Sequence, residues 1–181
     1  MHLVCYPLPR PAGRATLFVR RPLVIGVGNP YRHDDGVGIA AIERLRDLSL
    51  TDVCLVEESG EPVALVQRWD GSDAVVLVDA VDSGGAAVAG ALHRFECTGG
   101  EWDVVPSASA ISSHGLGVAE AVELGRVLDR LPTRLVFFGV EAADTSDGVG
   151  LSAAVLHGLD GLLDEVVSLL AGSDAVGEAA P

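Results

Sequence analysis

The chain has 181 residues, 49% of them hydrophobic, and a formal net charge of −14 at pH 7. A chain of this length can bury a proper core as one domain, and its acidity argues against binding nucleic acid, because phosphate contacts need clustered Lys and Arg. No apolar run approaches the ~20 residues that span a bilayer, and no continuous apolar signal segment is present, so we expect a cytoplasmic protein with no membrane contact.

Two terminal segments lack the periodicity of packed elements. Residues 1–21 contain four arginines, three prolines and no acid, which predicts a flexible basic arm. Residues 171–181 are small or acidic and are expected to form a disordered tail. The remaining residues, 22–170, are predicted to form a single α/β domain.

Strand and helix patterns alternate along this domain. Short apolar runs favour strands, and apolar residues at helical spacing favour helices. The run 74–78 is continuously apolar, which is typical of a central strand covered on both faces. The predicted strands are 23–27, 53–57, 74–78, 88–95 and 135–140, and the predicted helices are 36–48, 62–69, 115–131 and 152–170.

This order of elements predicts a three-layer α/β/α fold. Its twisted five-stranded sheet should be mostly parallel, with the strand at 88–95 antiparallel because it follows the central strand so closely. Motifs of several common mechanisms are missing from the sequence. The first glycine pair lacks the third glycine of a dinucleotide fingerprint and the lysine of a P-loop, and neither G-x-S-x-G nor H-E-x-x-H occurs.

Three polar residues stand where strands end or helices begin. Asp35 precedes the first helix, Asp79 follows the central strand, and His114 precedes the helix that starts at Gly115. Each has a structural explanation as a cap, a turn ligand or an exposed side chain. Because such positions meet in one crevice of an open α/β sheet, they could also form a divalent-metal site, for nickel, zinc, manganese or ferrous iron.

Three sequence runs carry a family resemblance. They are G-V-G-N-P-Y-R-H-D-D-G-V-G at 26–38, V-V-L-V-D-A-V-D-S-G at 75–84 and S-S-H-G-L-G at 112–117. Together they resemble the hydrogenase maturation endopeptidases. The resemblance implies a phosphorylase/hydrolase-like α/β/α fold and an endopeptidase that removes the C-terminal extension of the nickel-loaded large-subunit precursor of a nickel-iron hydrogenase.

The resemblance also assigns the site. By position, the metal-contacting acids of the family correspond to Asp35 and Asp79, and its histidine to His114, so these three are the expected catalytic and metal-contacting residues. The nickel is expected to arrive with the substrate, although other divalent metals could occupy the site in vitro. The implied partner is the large-subunit precursor, and the protein is expected to act as a monomer.

Other residues of the first motif receive different roles. Asp34 is expected to cap the helix. Gly26 and Gly28 are expected to let the backbone approach the metal site of a protein substrate. Many relatives carry a glycine pair after the second strand, whereas residues 57–62 read E-E-S-G-E-P, so the contacts of this loop are left open and Glu57 is at most a supporting contact.

Two alternative functions remain open from the sequence. The first is a metal-sensing chaperone or adaptor that binds the precursor without cutting it. The second is a different hydrolase or phosphorylase, acting on a nucleoside or a tRNA ester; it would need an anion-binding pocket, and Arg32 is the only Arg or Lys in the three motifs. The mechanism is open too, since the metal could polarise the peptide carbonyl or activate water while Asp35 or Asp79 takes a proton.

Overall fold

The computed structural model describes residues 21–98, 101–102 and 115–174, so the predicted arm up to residue 20 and the tail from 175 lie outside the described residues. The strands are β1 (Leu23–Val27), β2 (Cys54–Glu58), β3 (Ala74–Val81), β4 (Leu92–Thr98), β5 (Glu101–Trp102) and β6 (Arg134–Glu141). The helices are α1 (Val37–Asp47), α2 (Pro62–Trp69), α3 (Gly115–Val127) and α4 (Ala153–Asp174).

One sheet runs through the protein in the strand order β2-β1-β3-β6-β4-β5. Strands β2, β1, β3 and β6 pair in parallel, and β4 runs antiparallel to β6. The predicted mostly parallel sheet with one antiparallel strand in this position is confirmed. The short β5 adds a sixth strand at the edge beside β4.

Both faces of the sheet are covered by helices. Along β1 the side chains alternate: Leu23, Ile25 and Val27 pack with α2 and α3, whereas Val24 packs with α1 and α4. All five residues of β1 are buried, as expected for a central parallel strand. The three predicted layers are therefore present, with a separate apolar core on each side of the sheet.

The first helix lies against the sheet with almost no space between the backbones. A Cβ atom added at Gly38 of α1 would lie 2.2 Å from the carbonyl oxygen of Val27 and 2.4 Å from that of Val78. Glycine is therefore required where α1 crosses the ends of β1 and β3. This close approach sets the position of the turn that connects β1 to α1.

The two earlier glycines of the motif serve the same packing. A Cβ at Gly26 would lie 2.0 Å from the Gly38 carbonyl oxygen, and one at Gly28, where φ is +140°, would lie 1.9 Å from the Asp35 carbonyl oxygen. The expectation that Gly26 and Gly28 make room for a substrate is therefore wrong. The space beside them is filled by the backbone of this chain.

Replacing Gly38 by alanine should lower the free energy of unfolding by about 3 kcal/mol, because the methyl group would have to displace the backbone of two strands. Gly161 of α4 offers a matched control. A Cβ there would meet only a leucine methyl group at 3.6 Å, so Gly161→Ala should raise stability by about 1 kcal/mol through helix propensity. Urea unfolding of both variants tests this, and equal stabilities would contradict the packing described.

Several element boundaries differ from those predicted. Helix α3 ends at Val127 rather than residue 131, because Asp129 adopts a left-handed conformation with φ of 54° and the Arg130 N–H turns back to the Gly125 carbonyl. Helix α4 continues to Asp174, beyond the predicted end at 170. Within the described parts of the chain, no helix is both long enough and apolar enough to cross a membrane.

Candidate active site

Asp35 lies in a short 3-10 turn, His33–Gly36, between β1 and α1, and its side chain is 1% exposed. Its Oδ2 atom accepts a hydrogen bond from the Asn29 N–H at 3.1 Å, and the same N–H also donates to the Asp35 carbonyl at 3.2 Å. Asp35 therefore closes the turn that leaves β1. It is not the cap of α1, whose N-cap residue is Gly36 and has no side-chain cap bond.

Asp79 lies within β3, which continues two residues further to Val81, so the predicted strand end at 78 was too early. The side chain is fully buried, and Oδ1 accepts a hydrogen bond from the Ala80 N–H at 2.8 Å. In the described part of the chain, Oδ2 has no hydrogen-bond partner. Burial raises the pKa of Asp79 to about 8; the Ala80 N–H opposes this increase, and the negative charge of Asp35 adds to it.

The fold brings these two acids to the same edge of the sheet. Strands β1 and β3 are parallel neighbours, and Gly38 packs against Val27, the last residue of β1, and against Val78, which precedes Asp79 in β3. The effect of Asp35 on the pKa of Asp79 shows that the two carboxyl groups are within electrostatic range. The two carboxyl groups therefore lie near each other at this edge of the sheet, and their assignment as site residues stays a prediction.

His114 lies outside the described residues, so its role stays a prediction. Helix α3 begins directly after it at Gly115, and Gly117 packs against the backbone of Gly60, which follows β2. The first turn of α3 is thus at the same edge of the sheet as the two acids. Among the described residues, no group of three His, Cys, Asp or Glu side chains could hold a metal ion.

Asp34 does not cap α1, and that prediction is wrong. Its fully buried carboxylate accepts three backbone N–H bonds from the loop between β6 and α4: from Ala143 at 2.9 Å, Asp144 at 3.0 Å and Ser152 at 2.6 Å. No sequence pattern near Asp34 shows these partners, because they lie more than one hundred residues away. Asp34 fastens the acid-bearing turn to a distant loop.

Further backbone bonds join the same two segments, residues 29–36 and 142–152, which we call the paired loops. The Gly148 N–H donates to the Tyr31 carbonyl at 2.8 Å, and the His33 N–H donates to the Gly148 carbonyl at 3.0 Å. The His33 ring lies over Gly148, where a Cβ would be 2.0 Å from Nε2. The turn that carries Asp35 is therefore held by hydrogen bonds to residues 142–152 as well as by its connection to β1.

Asp34→Ala should lower the free energy of unfolding by about 3 kcal/mol, because three N–H groups lose their acceptor. Asp47→Ala, at an exposed acid of α1, is the control and should change stability by less than about 0.5 kcal/mol. Chemical unfolding of both proteins measures the difference. A loss at Asp34 no greater than that at Asp47 would show that the paired loops do not depend on this carboxylate.

One further buried carboxylate near this edge was not predicted from the sequence. Glu141, at the end of β6, is 2% exposed. One oxygen accepts bonds from the Ser83 hydroxyl at 2.6 Å and the Ser83 N–H at 2.9 Å, and the other lies 2.9 Å from Nε2 of His93. Glu141 therefore secures the loop after Asp79. Because the Ser83 hydroxyl donates to Glu141 and His93 contacts the same carboxylate, the three do not form a serine-nucleophile triad.

The divergent segment 57–62, which joins the end of β2 to the start of α2, is fixed by two ion pairs and a helix cap. Glu57 pairs with Arg46 of α1, and Glu58 pairs with Arg68 of α2 at 2.5 Å. Glu61 caps α2 by accepting the Ala64 N–H at 2.7 Å. Glu57 therefore connects β2 to α1, and Glu58 connects β2 to α2.

Comparisons with known proteins identify the family of this chain. The family described as hydrogenase maturation protease matches residues 39–169. The chain is 32% identical over 130 residues to the hydrogenase expression/formation protein HupD of Thiocapsa roseopersicina, covering 69% of this chain and 56% of that protein. It is 29% identical over 160 residues to HupD of Rhizobium leguminosarum bv. viciae, covering 85% and 72%. The match thus spans little more than half the length of the first of these relatives.

Solved structures share the fold. The hydrogenase maturating endopeptidase HybD from Escherichia coli superposes with a TM-score of 0.72 at 24% identity, covering 84% of this chain and 93% of that one. The [NiFe] hydrogenase maturation protease HybD from Thermococcus kodakarensis gives a TM-score of 0.68 at 23% identity, covering 83% and 99%. At these identities the likeness establishes a common architecture.

Proposed function

Because the chain belongs to the hydrogenase maturation protease family, we propose that it is an endopeptidase that removes the C-terminal extension from the nickel-loaded large-subunit precursor of a nickel-iron hydrogenase. The observation that carries this proposal is the fully buried Oδ2 atom of Asp79, which has no hydrogen-bond partner in the described part of the chain and lies within electrostatic range of Asp35. Two such carboxyl groups repel each other unless a proton or a cation compensates their charge.

Nickel held by the precursor supplies that compensation. Asp35 and Asp79 contact the ion, and His114 provides the third contact; two carboxylates and an imidazole suit a borderline divalent cation that keeps its other ligands from the substrate. Asn29 orients the carboxylate of Asp35 through its N–H. The site is therefore complete only when a metallated substrate is present.

The chemistry of cleavage fits two schemes. In one, nickel polarises the carbonyl of the bond to be cut; in the other, it lowers the pKa of a bound water. In both, Asp35 or Asp79 takes a proton, which requires an ionised carboxylate. Where Asp79 is the base, a nearby cation favours the ionised carboxylate that can take the proton, whereas without a cation burial favours the protonated form, which cannot.

The same proposal gives the protein a single macromolecular partner. The large-subunit precursor binds at the edge of the sheet that carries the two acids, and the protein acts as a monomer in the cytoplasm without nucleic acid or membrane. The acidic chain, with its net charge of −14, is consistent with a protein partner or a cation rather than a polyanion.

The experiment is incubation of the purified protein with nickel-loaded precursor, followed by intact-mass measurement of the large subunit. We expect loss of a C-terminal peptide. An unchanged mass would refute the endopeptidase proposal. Stable co-elution of the uncut precursor with this protein in the same experiment would replace it with the adaptor function.

A further inference from the structure

Beside the buried acids, the paired loops present two apolar side chains to solvent. Tyr31 is 73% exposed and Val149 is 74% exposed. We call these two residues the apolar rim. A tyrosine ring and a valine held in water at the mouth of a candidate site have no role in the packing of this chain.

Hydrogen bonds hold the backbone of the apolar rim in place. The Tyr31 N–H donates to Oδ1 of Asn29 at 3.0 Å, and the Tyr31 carbonyl accepts from the Gly148 N–H. Val149 lies between Gly148, which bonds to Tyr31 and His33, and Gly150, whose carbonyl lies 3.2 Å from Nδ1 of the His33 ring. A side chain displayed on a fixed backbone loses little entropy on binding, which favours its use as a contact residue.

The apolar rim is also directly connected to the candidate site. Tyr31 stands in the turn that Asp35 closes through Asn29, and Val149 stands in the loop that Asp34 holds. A segment that docks here is therefore apolar.

We propose that the apolar rim of Tyr31 and Val149 is the docking contact for an apolar segment of the large-subunit precursor, next to its metal centre. This inference rests on the proposed function and adds a specificity contact to it. The rim binds the precursor and the buried acids carry the chemistry, so losing the rim weakens binding without changing the step that follows.

The test uses the variants Tyr31→Ser and Val149→Ser and measures initial rates of peptide release at increasing concentrations of nickel-loaded precursor. Each variant should raise KM by about tenfold and leave kcat within about twofold of wild type. Tyr31→Phe keeps the ring and should keep KM near the wild-type value. Val127→Ser is the matched control, since Val127 is also 74% exposed but ends α3 at the opposite edge of the sheet.

The outcomes separate this inference from the proposed function. A wild-type protein that never cuts the nickel-loaded precursor refutes the proposed function. A wild-type protein that cuts, combined with an unchanged KM in both serine variants, refutes the docking contact alone. A wild-type dimer that Tyr31→Ser and Val149→Ser dissociate, with KM unchanged, identifies the apolar rim as an interface between copies of this chain and also refutes the inference.

Discussion

Asp79→Asn is expected to reduce peptide release from the nickel-loaded precursor by about 100-fold or more. Asparagine keeps the size of the side chain and can keep the acceptor for the Ala80 N–H. An amide nitrogen then takes the place of the Oδ2 atom, which has no hydrogen-bond partner among the described residues. An amide nitrogen neither contacts a cation nor accepts a proton. Asp35→Asn should have an effect of the same order, since it removes the second carboxylate.

The matched control is Asp73→Asn. Asp73 is exposed and immediately precedes β3, at the opposite end of the strand that carries Asp79. Its variant should process the precursor at the wild-type rate. Intact-mass time courses of the three variants and the wild type give the comparison, and wild-type rates in Asp79→Asn or Asp35→Asn would remove that residue from the site.

The burial of Asp79 should make the stability of the protein depend strongly on pH. The unfolded carboxyl group titrates near pH 3.8 and the folded one at about 8, so between these values the native state binds one more proton than the unfolded state. The stability that this group contributes is complete below about pH 4. It is lost as the pH rises towards 8, by about 1.4 kcal/mol for each pH unit.

Asp79→Asn removes this titration. In the presence of a chelator, the free energy of unfolding of Asp79→Asn minus that of wild type should therefore grow with pH. It should level off above about pH 8, where the difference has changed by about 6 kcal/mol. Urea unfolding across this range measures it, with Asp73→Asn as the control that should show no such change. A difference that stays constant with pH would contradict the assignment of a buried, proton-binding Asp79.

The general fold could be predicted because its signals are local. The boundaries of β1 follow from one continuous apolar run, and the antiparallel direction of β4 follows from the short connection after β3. Boundaries that depend on capping were less accurate. Helix α3 was predicted to reach residue 131, but a left-handed Asp129 ends it early.

The roles of individual site residues were harder to predict, because they depend on contacts that are distant in sequence. Asp34 and Asp35 are adjacent acids, and nothing local shows that Asp34 binds the loop before α4 while Asp35 bonds to Asn29. Asp34 was predicted to cap the helix, yet its carboxylate is fully buried and bonds to the loop before α4. Gly28 shows the same difficulty, since the atom that requires glycine there is the carbonyl oxygen of Asp35.

The central claim is that the two buried carboxylates act on a nickel ion that the substrate brings. The most direct measurement is a side-by-side intact-mass time course of nickel-loaded and nickel-free precursor with the wild-type protein. We predict that a C-terminal peptide is lost from the nickel-loaded form alone. Equal cutting of both forms would contradict the account.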